Sequence, residues 1–444
     1  MTISTTSATF QGAPVSRPSA FPVQSLLLSG LLVLVPALVF LNRGIVWPLM
    51  YGDKLLDTSG LFGGLGVYET HPLHKIWFPA LAAFTLALFA IARVRRPDYR
   101  LRSMAGWFAL FAWSALSVSW AIEPGIALSR LILQLLVAGC LYLAFCGTNR
   151  PKDIITAIYW MIVVTVFLNF YAVLTQEPTP LGHRGIFQHK NHLGSFSVMA
   201  VMFLLWKLAD GRRYWLVALA LTPICLFMLV ESESKTSFGL LFIALAFGAS
   251  VAFFAWGLRI PALISFVLAC ISLALLSMGL SAVAGVSFWQ QMDALTGDAT
   301  LTGRTGIWSF VWPYVEARPW VGYGFRSFWQ IGENSPQLTL GSGFIATAAH
   351  AHNGYVDMLL NGGLIGLALV VLILVASLNM CGRISARRLH EGFVLSSMVI
   401  FILLHNMLET TFLSGVNVMF VLFQIIWLYM AYTVDRDGNA SAAG

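Results

Sequence analysis

The chain has 444 residues, of which 58% are hydrophobic and only 10% charged. Soluble domains carry about a quarter of their residues as charges, so water is excluded as the solvent for most of this surface. The formal charge of +7 does not signal a nucleic-acid partner, because the basic residues fall in short clusters between apolar runs, as membrane topology signals do.

Residues 1–22 are rich in Ser, Thr and Pro and are expected to form a disordered cytoplasmic N-terminus. They lack the basic start and small-residue cleavage site of a signal peptide, so the first span is expected to be retained. Apolar runs follow at 23–41, 76–93, 104–121, 126–146, 154–174, 193–209, 214–230, 238–257, 261–285, 355–378, 393–411 and 416–433. Most approach the ~20 residues that a helix needs to cross a ~30 Å hydrocarbon core. Long uncharged runs without alternation argue against a β-barrel. The expected fold class is an all-α polytopic membrane protein with about twelve transmembrane helices.

Placing the N- and C-termini in the cytoplasm puts most of the 26 Lys and Arg residues on that side, including the Arg93–Arg102 cluster. Positively charged loops stay inside, so this topology is preferred. The expected organisation is a membrane domain over 23–285 with about nine spans and outward loops at 42–75, 175–192 and 231–237. A periplasmic loop covers 286–354, the last three spans 355–433, and a cytoplasmic tail 434–444. The five cysteines form no CxxC pair, and neither a disulfide nor structural zinc is expected.

Chemistry is expected on the outward loops. Loop 175–192 gathers Arg184, Lys190 and the histidines 183, 189 and 192. Such cations attract an anion at headgroup depth, and an Arg fork matches phosphate oxygens; a plain basic surface loop is the alternative. His189 and His192 at i, i+3 without a nearby carboxylate are a weak zinc signal. Loop 286–354 holds Arg304 in Arg304-Thr305-Gly306-Ile307-Trp308, a stretch that reads as a short helix lying along the membrane ahead of Pro313. Its aromatics suit an interfacial segment, and they could also stack on sugar rings.

The loop ends in His350-Ala351-His352-Asn353-Gly354-Tyr355. An imidazole titrating near ~6.5 suits a general base. Asn353 is a candidate helix cap that leaves His352 available, with His350 as a second candidate and Tyr355 as a possible support. Asp357, His405, Asn406 and Glu409 fall inside or near spans, where ionisable groups are expensive; Glu409 and His405 are expected to support the site by inter-helix hydrogen bonds. Asp435-Arg436-Asp437 reads as a solvated end.

Four pieces together resemble the O-antigen ligase and Wzy-type polymerase superfamily, with the closest look to exopolysaccharide polymerases of the ExoQ type. They are Arg184-Gly185-Ile186-Phe187-Gln188-His189-Lys190-Asn191-His192-Leu193-Gly194; Ser232-Glu233-Ser234-Lys235-Thr236; Leu301-Thr302-Gly303-Arg304-Thr305-Gly306-Ile307-Trp308 with Pro319-Trp320-Val321-Gly322-Tyr323-Gly324; and His352-Asn353-Gly354-Tyr355. Each is weak alone, and their order is more specific. The resemblance covers about residues 180–370.

The resemblance implies a GT-C-type glycosyltransferase architecture in the bacterial inner membrane, with a periplasmic active site. It implies undecaprenyl-pyrophosphate-linked oligosaccharides as donor and acceptor. By motif, Arg184 and Arg304 would hold the donor pyrophosphate with Lys190 as a third cation, and His352 would activate the acceptor. No metal and no other cofactor is expected. Expected partners are membrane lipids and a chain-length regulator or export machinery. Polymerisation of lipid-linked repeat units is the leading reading, ligation of a finished glycan to lipid A core or protein the alternative. A polysaccharide or lipid transporter is a third, disfavoured because the titratable residues gather on outer loops rather than at the bilayer midplane.

Overall fold

The computed structural model describes residues 22–46, 72–92, 104–148, 150–285, 287, 290, 304–341, 343–414 and 417–442. The expected N-terminal segment over 1–21, most of the first outward loop with His71, the basic cluster Arg93–Arg102 and residues 291–303 lie outside the described residues.

Among the described residues the chain is helical, without a strand. In chain order the helices are α1 (Pro22–Leu41), α2 (Pro72–Ala92), α3 (Ala105–Ser117), α4 (Pro124–Gly147), α5 (Pro151–Thr175), α6 (Lys190–Lys207) and α7 (Arg212–Glu231). They continue with α8 (Lys235–Gly257), α9 (Ala262–Ala284), α10 (Arg304–Ala317), the short α11 (Pro336–Thr339), α12 (Gly354–Ser385), α13 (Leu389–His405) and α14 (Val418–Ala442). Proline opens α4 and α5, where its missing N–H would have had no partner.

Nine of these helices are long and apolar enough to cross a membrane, and apolar stretches of α2 and α13 are shorter. Leu219, Leu275 and Val283 are 76%, 62% and 91% exposed, on faces no aqueous protein would leave bare. Helix α9 turns nearly its whole circumference outward. The protein is a polytopic all-α membrane protein, its exposed apolar surface solvated by lipid.

One continuous apolar core runs through the bundle, in which α8 packs along α13, α6 along α7, and α12 against α13 and α3. A second, smaller core lies at one end. There Ile307, Val311 and Val315 of α10 pack on Phe328, Ala351 and Leu360. Helix α10 is longer than the short helix expected, continuing through Pro313 to Ala317.

Two features seat the segment 318–335 on the bundle. Helix α12 is broken at Gly363 (φ 63°, ψ −163°), a conformation that favours glycine. The turn 319–323 fills the break: Tyr323 N–H donates to Leu360 O at 2.6 Å and Leu364 N–H to Pro319 O at 2.7 Å. A kinked helix thereby keeps its backbone paired. On the other side buried Arg130 of α4 donates to the carbonyls of Arg326 (2.5 Å), Trp329 (3.1 Å) and Gln330 (2.6 Å). A guanidinium fork suits three converging oxygens.

At the opposite end of the bundle Arg388 donates to Asp437 at 2.8 Å and to Glu391 at 3.3 Å. Asp437 is therefore not the solvated end expected from the sequence: α14 runs on past 433 and brings it to a basic partner.

Candidate active site

Three loops meet at the end of the bundle that carries α10. The first precedes α6. His183 N–H donates to Glu231 O at 2.9 Å, and Ile186 N–H donates to the buried Asn169 side chain at 3.1 Å. Arg184 sits on this turn, half-buried, its carbonyl accepting from Phe187 N–H at 3.1 Å. His189 then caps α6 by accepting from Asn191 N–H at its Nδ1. Burial, with His192 beside it, pushes the His189 imidazole down to about 4. Its Nδ1 is thus an acceptor and its proton sits on Nε2. Lys190 reaches Glu233 O at 3.3 Å and lies within electrostatic reach of Arg304.

The second loop ends in His350-Ala351-His352-Asn353. Asn353 caps α12, its side chain accepting from Tyr355 N–H at 3.0 Å and Val356 N–H at 3.2 Å. Asp357, buried one turn into α12, accepts from Trp329 Nε1 at 2.8 Å, from Ala351 N–H at 3.1 Å, and from the Thr410 hydroxyl. A single carboxylate thereby ties three loops together. His352 itself adopts φ +49°, a left-handed conformation that a non-glycine residue holds only when its surroundings fix it. Trp308 of α10 braces the same turn, donating from Nε1 to Ala351 O at 2.9 Å.

The third loop follows α13. The helix ends at His405, and Asn406 turns the chain by accepting from Thr411 N–H and Phe412 N–H. Gly354 N–H donates to Asn406 O at 2.8 Å, and a Cβ on Gly354 would meet the Asn406 Oδ1 at 2.2 Å, so only glycine allows this approach. The turn delivers Glu409 into the middle of the site.

Glu409 is the hub. Its Oε1 accepts from Arg304 Nη2 at 2.7 Å and from Asn191 Nδ2 at 2.5 Å, and its Oε2 lies 3.2 Å from His352 Nδ1. The Arg304 and Glu409 side chains are each 9% exposed and the His352 side chain 21%, so the imidazole is the most open of the three. Burial alone would push the Glu409 carboxyl up. The His352 hydrogen bond and the charges around it, including Arg304, outweigh burial and hold it well below the usual carboxylate range. An ionised carboxylate only accepts, so His352 Nδ1 carries its proton and Nε2 is left as the basic nitrogen. His350 lies beside His352, with ring centroids 4.2 Å apart and planes tilted by 57°, and accepts from His352 N–H at Nδ1. Burial, with His352 adjacent, pushes its imidazole down to about 3, so it is a neutral prop.

His350, His352 and Glu409 offer three ligand atoms within 4.8 Å of one another, compact enough for a cation. Glu409, however, already has a guanidinium at 2.7 Å balancing its charge. The donor set therefore fits an arginine-neutralised carboxylate better than a metal centre.

Of the residues singled out from sequence, Arg304, His352, His350 and Glu409 form one cluster, with Asn353 and Tyr355 shaping its turn and Lys190 at its edge. Arg184 lies on the neighbouring turn, and His183 instead faces Glu231 at 3.8 Å. Asn191, Trp329 and Thr410 are contributors the sequence reading passed over. Asn191 stood inside a quoted motif as a plain amide, and Thr410 beside an acid.

Residues 224–371 match the family model described as O-antigen ligase. Over these residues the chain is similar to the O-antigen ligases. Over 306 residues it is 26% identical to the exopolysaccharide production protein ExoQ of Rhizobium meliloti (strain 1021), an alignment spanning 63% of this chain and 67% of that protein. The O-antigen ligase match takes in Arg304, His350 and His352, whereas Arg184, Lys190 and Glu409 lie outside it.

Proposed function

We propose that this protein is a membrane glycosyltransferase that polymerises undecaprenyl-pyrophosphate-linked oligosaccharide units into an exopolysaccharide at the outer face of the bacterial inner membrane. The likeness to an exopolysaccharide production protein supports the product class. The observation that carries the mechanism is the convergence of Arg304 and His352 on one carboxylate, Glu409.

In this reading Arg304, with Lys190 and Arg184 on the adjoining turn, faces the donor pyrophosphate and offsets the charge that develops as the leaving group departs. His352 Nε2 takes the proton of the acceptor hydroxyl as that oxygen attacks C1 of the donor sugar. The C1–O bond to pyrophosphate breaks with its electron pair going to the leaving group, and the anomeric centre inverts. Glu409 holds the imidazole in the required tautomer and stabilises the imidazolium that forms, as a carboxylate does for any histidine base. No metal enters the step. A GT-C-type membrane architecture accommodates this chemistry.

The test is polymer formation by membranes from a deletion strain carrying each variant. Wild-type membranes are expected to extend lipid-linked repeats even in EDTA, and His352→Ala membranes to leave single repeats unextended at normal protein abundance. Polymer at wild-type level from His352→Ala would overturn the base assignment. The ligase reading, which the family model favours, instead expects full-length lipid-linked polymer to accumulate in the deletion strain.

A further inference from the structure

Helix α10 has two unlike faces. Arg304, Ile307, Val311 and Val315 are buried against the small core. The flank beside them carries Thr305, Trp308, Ser309, Trp312 and Glu316. Trp312 is 50% exposed, Thr305, Ser309 and Glu316 are exposed, and Trp308 is half-buried. Residues 304, 308 and 312 follow one another at i, i+4 and i+8, so Trp308 and Trp312 stand ~6 and ~12 Å along the helix axis from Arg304.

We infer that this face is the track on which the carbohydrate acceptor lies, with its sugar rings stacked on Trp308 and Trp312. This inference rests on the glycosyltransferase reading above and goes beyond it by assigning the acceptor a place. Two observations favour a glycan over a lipid surface. A helix face sunk into lipid is apolar, whereas the rings here are interleaved with two hydroxyls and a carboxylate, the partners that sugar hydroxyls need. The track also begins at the base: Trp308 Nε1 donates to Ala351 O at 2.9 Å, one residue before His352. A chain stacked along α10 therefore delivers its end to the nitrogen that must accept the hydroxyl proton. Ser309 donates its hydroxyl to Thr305 O at 2.9 Å, and its exposed oxygen can still accept.

The test uses the full-length protein in nanodiscs and, as probe, oligosaccharides from partial hydrolysis of the polysaccharide made by the wild-type strain. Trp312→Ala is expected to weaken oligosaccharide binding about tenfold and to shorten the polymer, with Trp312→Phe recovering part of both. Unchanged binding and chain length in Trp312→Ala would overturn the inference. So would greater quenching of wild-type than of Trp312→Ala emission by brominated lipids, which puts the ring in the membrane. The two readings fail separately: wild-type polymer from His352→Ala would strike the base assignment, whereas unchanged oligosaccharide binding in Trp312→Ala would strike the track.

Discussion

A single side chain, Glu409, decides the electrostatics of the site. It neutralises Arg304, fixes the His352 proton on Nδ1 and is anchored by Asn191. Removing its charge takes from a buried guanidinium the carboxylate that lies 2.7 Å away, a loss of about 3 kcal/mol for pairs of this kind. Glu409→Gln is therefore expected to melt several degrees lower in detergent, and to lose about 100-fold in polymerisation rate as the tautomer control disappears. A variant that melts and turns over as the wild type does would remove Glu409 from the mechanism. The same neighbourhood predicts a pH response. His350 falls from 6.5 to about 3 on folding and His189 from 6.5 to about 4. Between those values the unfolded chain binds the protons that the folded chain refuses, so stability rises with pH and is complete above the unfolded value. Glu409, held low by the His352 hydrogen bond and the Arg304 charge, acts in the same direction below about 4.5. Thermal melts should hold level above pH ~7 and fall steadily as the pH drops through 6 and 5. A melting point that rises on acidification over that window contradicts the burial of these imidazoles.

At the scale of elements, the site depends on loops being pinned to helices rather than on the helices alone. Arg130 is the clearest pin, since its fork answers three carbonyls of the turn 326–330, two of them on residues with positive φ, Arg326 and Gln330. Arg130→Met keeps the bulk and removes every donor, which strands buried oxygens at a cost of about 3 kcal/mol. Limited proteolysis should then cut the segment 331–341 faster than in the wild type, and Arg130→Lys should recover part of the protection; equal cutting rates in all three would show that the turn holds itself. What the sequence made legible, and what it hid, follows the same division. Hydrocarbon demands long apolar runs, so the polytopic all-α class could be read directly. The Arg304 and His352 motifs stood out because charge is scarce. Glu409 also reads from the sequence as a support for the site, but its pairing with Arg304 and His352 does not, because these lie 105 and 57 residues away along the chain. The break at Gly363 hid inside an apolar run, since only the turn 319–323 explains why a helix would open there. Asp437 looked like a tail residue for the same reason, its partner Arg388 lying on another loop.

For the whole molecule, the proposed reaction requires that the Arg304–Glu409–His352 end face away from the cytoplasm, where donor sugars arrive already activated on lipid. The bundle separates its two ends clearly: the site loops share one, and the Arg388–Asp437 pair and the Lys207–Asp210 pair mark the other. The basic excess at the second end argues for a cytoplasmic position. Four of the five cysteines are buried and Cys270 is half-buried, so an introduced thiol reports against a low background. Glu333→Cys, exposed on the segment that Arg130 pins, should react with a membrane-impermeant maleimide in cells whose inner membrane is intact. Arg212→Cys, exposed at the start of α7, should react only after the membrane is permeabilised. The reverse pattern would put the histidine base in the cytoplasm, where a pyrophosphate-lipid acceptor and donor would have to be used before export, and polymerisation at the outer face would be excluded.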